Sequence, residues 1–188
     1  PDRFSFDLPD SGFFFPGDRL HYFLEAQDDQ GGSIGTTLLP ADTTGFSTGF
    51  DDPMGYDSSF TIHALPTIRD DGFGGHEVPP ILFWNDFANR GGENEWYHAL
   101  NNAGMVKGVD YDVYYTNAPS SGVGNGLGGR SESHLPLEHY TDMLYTCGDL
   151  TMGSLGVGDL ASSPSPDVQV VGTWLDRGGK NAFFTGDG

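Results

Sequence analysis

Cys147 ends a short apolar run, Met143-Leu-Tyr-Thr146, and is followed by Gly148 and Asp149. A cysteine so placed can act as a nucleophile when its thiolate is stabilised and a base, usually histidine, stands beside it. His134 and His139 precede it on the same connection, and His98 lies upstream. A partly buried structural thiol explains the same residue without chemistry, and this is the favoured reading. Carboxylates offer a second route. Asp86, Asp149 and Asp187 each follow an expected strand and could give oxygen ligands to a hard cation such as calcium or magnesium. Asp beside Gly in a loop is also ordinary turn chemistry, so no metal or other cofactor is assigned and calcium is kept only as an option.

Other acidic pairs, Asp28-Asp29 and Asp51-Asp52 with Asp57, lack the spacing of a calcium-binding EF-hand loop. The glycine-rich stretch Ser121-Gly-Val-Gly-Asn-Gly-Leu-Gly-Gly-Arg130 suggests a phosphate cradle. Such a cradle needs a strand directly before it and a helix directly after. Pro119 and Ser120 intervene here and Pro136 follows, so a packed or flexible loop is expected.

The elements that must position these residues fall into two halves. From residue 1 to 66 the pattern is period two with turn punctuation: Pro16-Gly-Asp18 marks a turn, Arg19 to Gln27 alternates as a strand, and Ser58 to Leu65 is a further strand ended by Pro66. This half is expected to be the end of an all-β sandwich. Residues 67–79 are polar, rich in Gly and ended by Pro, and are expected as a linker. From 80 to 188 the period alternates between strand and helix. Ile81 to Trp84 is a continuous apolar run suited to a strand covered on both faces. Glu93 to Ala103 has helical spacing, with Gly104 at the C-terminal cap. Tyr111 to Tyr115 and Met143 to Thr146 are strands, Asp167 to Arg177 is a helix stopped by Gly178-Gly179, and Ala182 to Phe184 is a fourth strand. This βαβ progression predicts an α/β parallel sheet. Right-handed crossovers then gather the strand-end loops on one edge, placing Asp86, Asn117, Asp149, Thr185 and Asp187 around a binding crevice.

Composition narrows the partners. With 27 acidic against 8 basic residues the net charge is −19, which repels phosphate backbones and anionic lipid, and no apolar run reaches the length of a spanning helix. Neither nucleic acid binding nor membrane insertion is expected. The single cysteine rules out an intrachain disulfide framework. Both ends read as the interior of a longer polypeptide, so the α/β part is expected to be truncated and further site residues to lie outside it.

The run Ile81-Leu-Phe-Trp-Asn-Asp86, Tyr97-His-Ala-Leu100 with Gly104, Tyr111-Asp-Val-Tyr114, Asp142-Met-Leu-Tyr-Thr-Cys-Gly-Asp149, Trp174-Leu-Asp-Arg-Gly-Gly179 and Asn181-Ala-Phe-Phe-Thr-Gly186 resembles the flavodoxin-like class I glutamine amidotransferase-like domains of large secreted bacterial proteins. The resemblance covers residues 80–188. Pro16-Gly-Asp18 and Tyr22-Phe-Leu-Glu-Ala-Gln-Asp28 in turn resemble the last strands of immunoglobulin-like or fibronectin-like sandwiches. In active amidotransferases a nucleophilic Cys follows the strand after the Gly-Gly pair, and that position falls near Thr185. The resemblance therefore implies the fold without the activity. It implies a noncatalytic binding or structural module at the cell surface or outside the cell, with other domains of the same polypeptide, other proteins or further copies of itself as partners. The alternative is an extracellular hydrolase of cysteine peptidase type. Caspase-like and gingipain-like peptidases place His-Gly after the third strand and Cys after the fourth, whereas here Cys147 follows the third and Thr185 ends the fourth.

Overall fold

The computed structural model describes residues 14–28, 35–43, 60–86, 90–116, 127, 137–150, 153–158 and 164–186. The chain divides into two compact units, Pro1–Leu65 and Pro66–Gly188.

Among its described residues the first unit contains two antiparallel pairs. β1 (Arg19–His21) pairs with β4 (Thr61–His63), and β2 (Leu24–Asp28) pairs with β3 (Gly35–Leu39). Pro16 and Gly17 occupy the centre of a tight turn in which Asp18 N–H donates to the Phe15 carbonyl at 2.9 Å. Gly17 has φ 88°, which favours glycine at that position. The strand expected over Arg19–Gln27 is two strands, because the chain leaves the ladder at Tyr22 and Phe23. Tyr22 N–H instead donates to the Phe60 carbonyl, and the two rings meet edge to face at 5.5 Å. Within the strand expected over Ser58–Leu65, Thr61–His63 is regular, and Ser58 and Ser59 lie outside the described residues.

The second unit is α/β. Residues 67–79, expected as a linker, carry a short hairpin of β5 (Arg69–Asp70) and β6 (His76–Glu77). Its entry is anchored because Thr67 is buried, donating its N–H and hydroxyl to the Asp112 carboxylate at 2.8 and 2.6 Å. Four parallel strands follow: β7 (Ile81–Asn85), β8 (Tyr111–Tyr115), β9 (Asp142–Thr146) and β10 (Asn181–Thr185), in the spatial order β10-β9-β7-β8. The register aligns Ile81, Tyr111, Asp142 and Asn181 at one end and Asn85, Tyr115, Thr146 and Thr185 at the other. All four strand ends therefore emerge on one edge.

Side chains alternate between the faces of this sheet. Phe83, Tyr111, Val113 and Leu144 share one face, and α1 (Glu93–Asn102) covers it through Trp96, Tyr97 and Leu100. Its end is built as the sequence requires. Gly104, at φ 78°, donates to the Asn101 carbonyl, and Met105 N–H reaches Leu100 while its side chain joins the same cluster. The opposite face carries an aromatic row in which Trp84 meets Tyr114 at 6.3 Å and Tyr145 at 5.0 Å, and Tyr145 meets Phe184 at 5.2 Å. Crossovers that step in opposite directions from β7 and β9 put α2 (Asp167–Leu175) on this second face. Trp174 of α2 is fully buried and donates its indole N–H to the Tyr140 carbonyl at 3.2 Å. Lys180 lies beside that ring and donates to the Glu138 and Tyr140 carbonyls at 2.8 and 2.7 Å, tying the start of β10 to the approach to β9.

Asp112 is fully buried on β8 and also accepts the Tyr140 hydroxyl at 2.7 Å. Replacing Tyr140 by Phe removes one donor from a buried carboxylate, so stability to urea is expected to fall by about 1–3 kcal/mol with far-ultraviolet circular dichroism unchanged. At the β5–β6 tip, Asp71 accepts the N–H groups of Phe73 and Gly75 at 2.7 and 2.8 Å. These bonds hold its carboxyl below the usual 3.8. The contribution of these bonds is therefore complete above that value and is lost as pH falls through the lower, folded one. Amide chemical shifts of Phe73 and Gly75 are expected to move together in that acid range, and Asp71→Asn to abolish the transition.

Candidate functional site

In the order β8-β7-β9-β10 successive strands are added to opposite sides of β7, so the strand order reverses between β7 and β9, and a crevice outside the carboxyl ends of such strands is the usual place for a ligand. A cavity of about 590 Å³ opens at this edge. Arg90, Gly91 and Gly92 form one wall, Glu95, Trp96 and Ala99 of α1 a second, and Thr146, Gly148, Asp149, Thr185 and Gly186 the floor and far rim.

Backbone geometry shapes the rim. Gly91 and Gly92 both have positive φ, 92° and 84°, which turns the chain sharply into α1. Across the opening, Gly148 has φ 57°, and a Cβ there would stand 2.5 Å from the Arg90 carbonyl oxygen and 2.7 Å from that of Gly91. The loop after β9 thus rests on the loop after β7 through a residue without a side chain. Asp149 N–H donates to the Arg90 carbonyl at 2.9 Å, and the Arg90 Nε to Asp149 carboxylate pair at 3.1 Å closes the contact on the exposed side.

Asp86 does not line the cavity. It is fully buried just past β7, and its carboxylate accepts the hydroxyls of Thr116 and, at 2.8 Å, Tyr145. Burial, ahead of the Asp86 charge, pushes the Tyr145 hydroxyl well above its ordinary range, so it remains a donor. Asp86 N–H donates to the Thr146 carbonyl, and Thr116 N–H to that of Asn85. The residue expected as a cation ligand therefore ties together the ends of three neighbouring strands. Asp149 is on the rim in its ion pair, and Asp187 lies outside the described residues. Among the described residues no group of three His, Cys, Asp or Glu side chains is placed to hold a metal ion.

Cys147 is buried, and its thiol donates to the carbonyls of Leu150 and Thr185 at 3.5 and 3.8 Å. It belongs to the face of Trp84 and Tyr145 and lines a second cavity of about 620 Å³ with Ser154, Leu155 and Phe184. His139 stands before β9, whose five residues at about 3.3 Å each separate it from Cys147 by about 16 Å. His98 is exposed in the middle of α1, while His134 and Asn117 lie outside the described residues. Thr185 reaches the cavity, but its hydroxyl donates to the Tyr145 carbonyl at 2.9 Å.

Of the crevice residues expected from sequence, Asp149 and Thr185 line the cavity. Arg90, Gly91, Gly92 and the first two turns of α1 were not anticipated. Their signal was a Gly-Gly pair directly before a helix that follows the first strand of a parallel sheet.

A Cβ on Gly186 would stand 2.3 Å from the Cys147 sulfur, whereas one on Gly148 would meet main-chain oxygens. Gly186→Ala is expected to be rescued by Cys147→Ala, which removes the obstructing atom. Gly148→Ala is expected to destabilise with or without that second change. Urea midpoints of the single and double variants test both statements.

No family model, no curated protein and no solved structure matches this chain.

Proposed function

We propose that this chain is a noncatalytic binding or structural module of a large secreted or cell-surface bacterial protein, in which a flavodoxin-like α/β domain resembling the class I glutamine amidotransferases follows the end of an immunoglobulin-like sandwich. The strand order, with the first strand between the second and third, supports the flavodoxin-like part. The carrying observation is the state of the two groups that could start covalent chemistry at this edge. The Thr185 hydroxyl is spent on a main-chain carbonyl, and the Cys147 thiol is buried among carbonyls with Gly186 packed against it. A nucleophile needs an adjacent base and an open approach, and His139 is a strand length away.

What remains at the cavity suits recognition. Main chain at Gly91, Gly92, Gly148 and Gly186 is accessible to a ligand, Trp96 offers an aromatic wall, and Glu95, Asp149 and Arg90 give a mixed rim of net negative sign. The fitting occupant is a small or extended polar group, neutral or cationic, such as a peptide segment of a partner or of a neighbouring domain.

Two measurements test this. Alkylation of Cys147 by iodoacetamide should be at least tenfold slower in the folded protein than in denaturant, and electrophilic probes for cysteine and hydroxyl nucleophiles should give no labelling above a denatured control. Faster labelling of the folded protein at Cys147 or Thr185 would establish the hydrolase instead. Trp84 and Trp174 are fully buried, so acrylamide quenching reports Trp96. A ligand seated in the cavity should protect that fluorescence, and Gly148→Ala, by disturbing the rim, should weaken the protection.

A further inference from the structure

The charged side chains that line the 590 Å³ cavity are Arg90, Glu95 and Asp149, and they are not equivalent. Arg90 and Asp149 pair with each other at 3.1 Å. Glu95, exposed in the first turn of α1, makes no hydrogen bond or ion pair among the described residues. One uncompensated carboxylate therefore borders the cavity, in a chain of net charge −19 whose field draws cations. Two further groups stand close to it along α1. Trp96 N–H donates to the Gly92 carbonyl at 3.0 Å, so the half-buried indole starts one turn, about 5.4 Å, from Gly92. Thr146, at 3% exposure, holds its hydroxyl oxygen 3.7 Å from the position that a Cβ on Gly92 would take. That oxygen accepts one long bond, from Gly148 N–H at 3.3 Å, and its hydrogen is spent on no acceptor among the described residues. A buried hydroxyl with bonding capacity unspent, lining a cavity, is a group that a ligand completes.

We propose that the cavity takes the guanidinium of an arginine presented by a peptide, with its plane on the Trp96 ring, one edge on the Glu95 carboxylate and a remaining N–H on the Thr146 hydroxyl. The inference rests on the reading of the cavity as a binding site and names its ligand. A guanidinium is flat and weakly hydrated, so it stacks on an indole and keeps its in-plane donors for acceptors in two directions. An ammonium is compact and strongly hydrated, and gives up more water for the same contacts. Main chain without side chains at Gly91, Gly92 and Gly148 leaves room for the backbone that carries the arginine.

Acrylamide quenching of Trp96, the other two tryptophans being fully buried, tests it with blocked, glycine-flanked tripeptides carrying arginine, lysine or citrulline. Citrulline has the shape of arginine and no charge. Expected is protection of Trp96 by the arginine peptide, with an association constant about tenfold above that of the citrulline peptide and the lysine peptide between them. Glu95→Gln should bring the arginine peptide down by about fivefold, and Thr146→Val by about threefold, both with circular dichroism unchanged. Glu25→Gln, the same change of charge on β2 of the first unit, should leave binding as it was. Equal protection by all three peptides overturns the arginine assignment and leaves the cavity a binding site, and indifference of arginine binding to either cavity substitution does the same. Protection by none of the peptides at about 20 mM overturns the assignment together with the binding reading.

Discussion

Three aspartates of the second unit, Asp86, Asp112 and Asp167, have no solvent exposure, and the arrangement of the parallel sheet follows from how their carboxylates are satisfied. A buried charge is tolerated only where hydrogen bonds replace lost water. Asp112 gathers Thr67 and Tyr140, so the segment entering the sheet and the segment entering β9 are both held to β8. Asp86 gathers Thr116 and Tyr145 at the opposite edge. Asp167 accepts the Ser165 hydroxyl and the Gly156 N–H, holding Gly156 against the start of α2. Asp112 and Asp167 join parts of the chain that the ladder alone does not connect, Asp86 adds side-chain bonds between strand ends that the ladder already pairs, and each carboxylate would be left short of donors if those parts separated.

This explains why the α/β half could be read from sequence more readily than its site. The apolar run Ile81–Trp84, the helical spacing of Trp96, Tyr97 and Leu100, and glycines at Gly104 and Gly178 are local signals, and they mark elements whose bounds the structure reproduces within a residue or two. The aspartates carry no such signal. A carboxylate at a strand end looks the same in sequence whether it faces solvent and a cation or turns inward to two hydroxyls. Only the register, which brings Thr116 and Tyr145 beside Asp86, decides between them. In the first unit the alternation of Leu20, Tyr22 and Leu24 suggested one strand. The Tyr22 contact with Phe60, 38 positions away in sequence, interrupts it, and nothing local announces that contact.

The two cavities lie on opposite faces of the same strand ends, and the division follows from alternation. Thr146 and Thr185 turn toward α1, whereas Tyr145, Cys147 and Phe184 turn the other way. The residues most suited to covalent chemistry are thus neighbours in the sheet: Cys147 borders the second cavity, and Thr185 borders both. Thr185 joins them through its main chain, since its carbonyl accepts from Cys147 while its own hydroxyl reaches the Tyr145 carbonyl. The thiol and the hydroxyl are in this way absorbed into the framework, and the cavity wall is left to glycine backbone, the Trp96 ring and the charged rim of Arg90, Glu95 and Asp149.

Lys180, bonded to two carbonyls, and Lys107, whose ammonium lies 4.5 Å over the Tyr97 ring, are the only lysines in the chain. Both side-chain amines are therefore committed to internal contacts. Immobilisation, crosslinking or fluorophore attachment through lysine would draw on these two groups. Acylating Lys180 would sever the tie between the starts of β9 and β10, so a carboxyl-directed coupling to the abundant surface acids is the gentler way to tether this molecule.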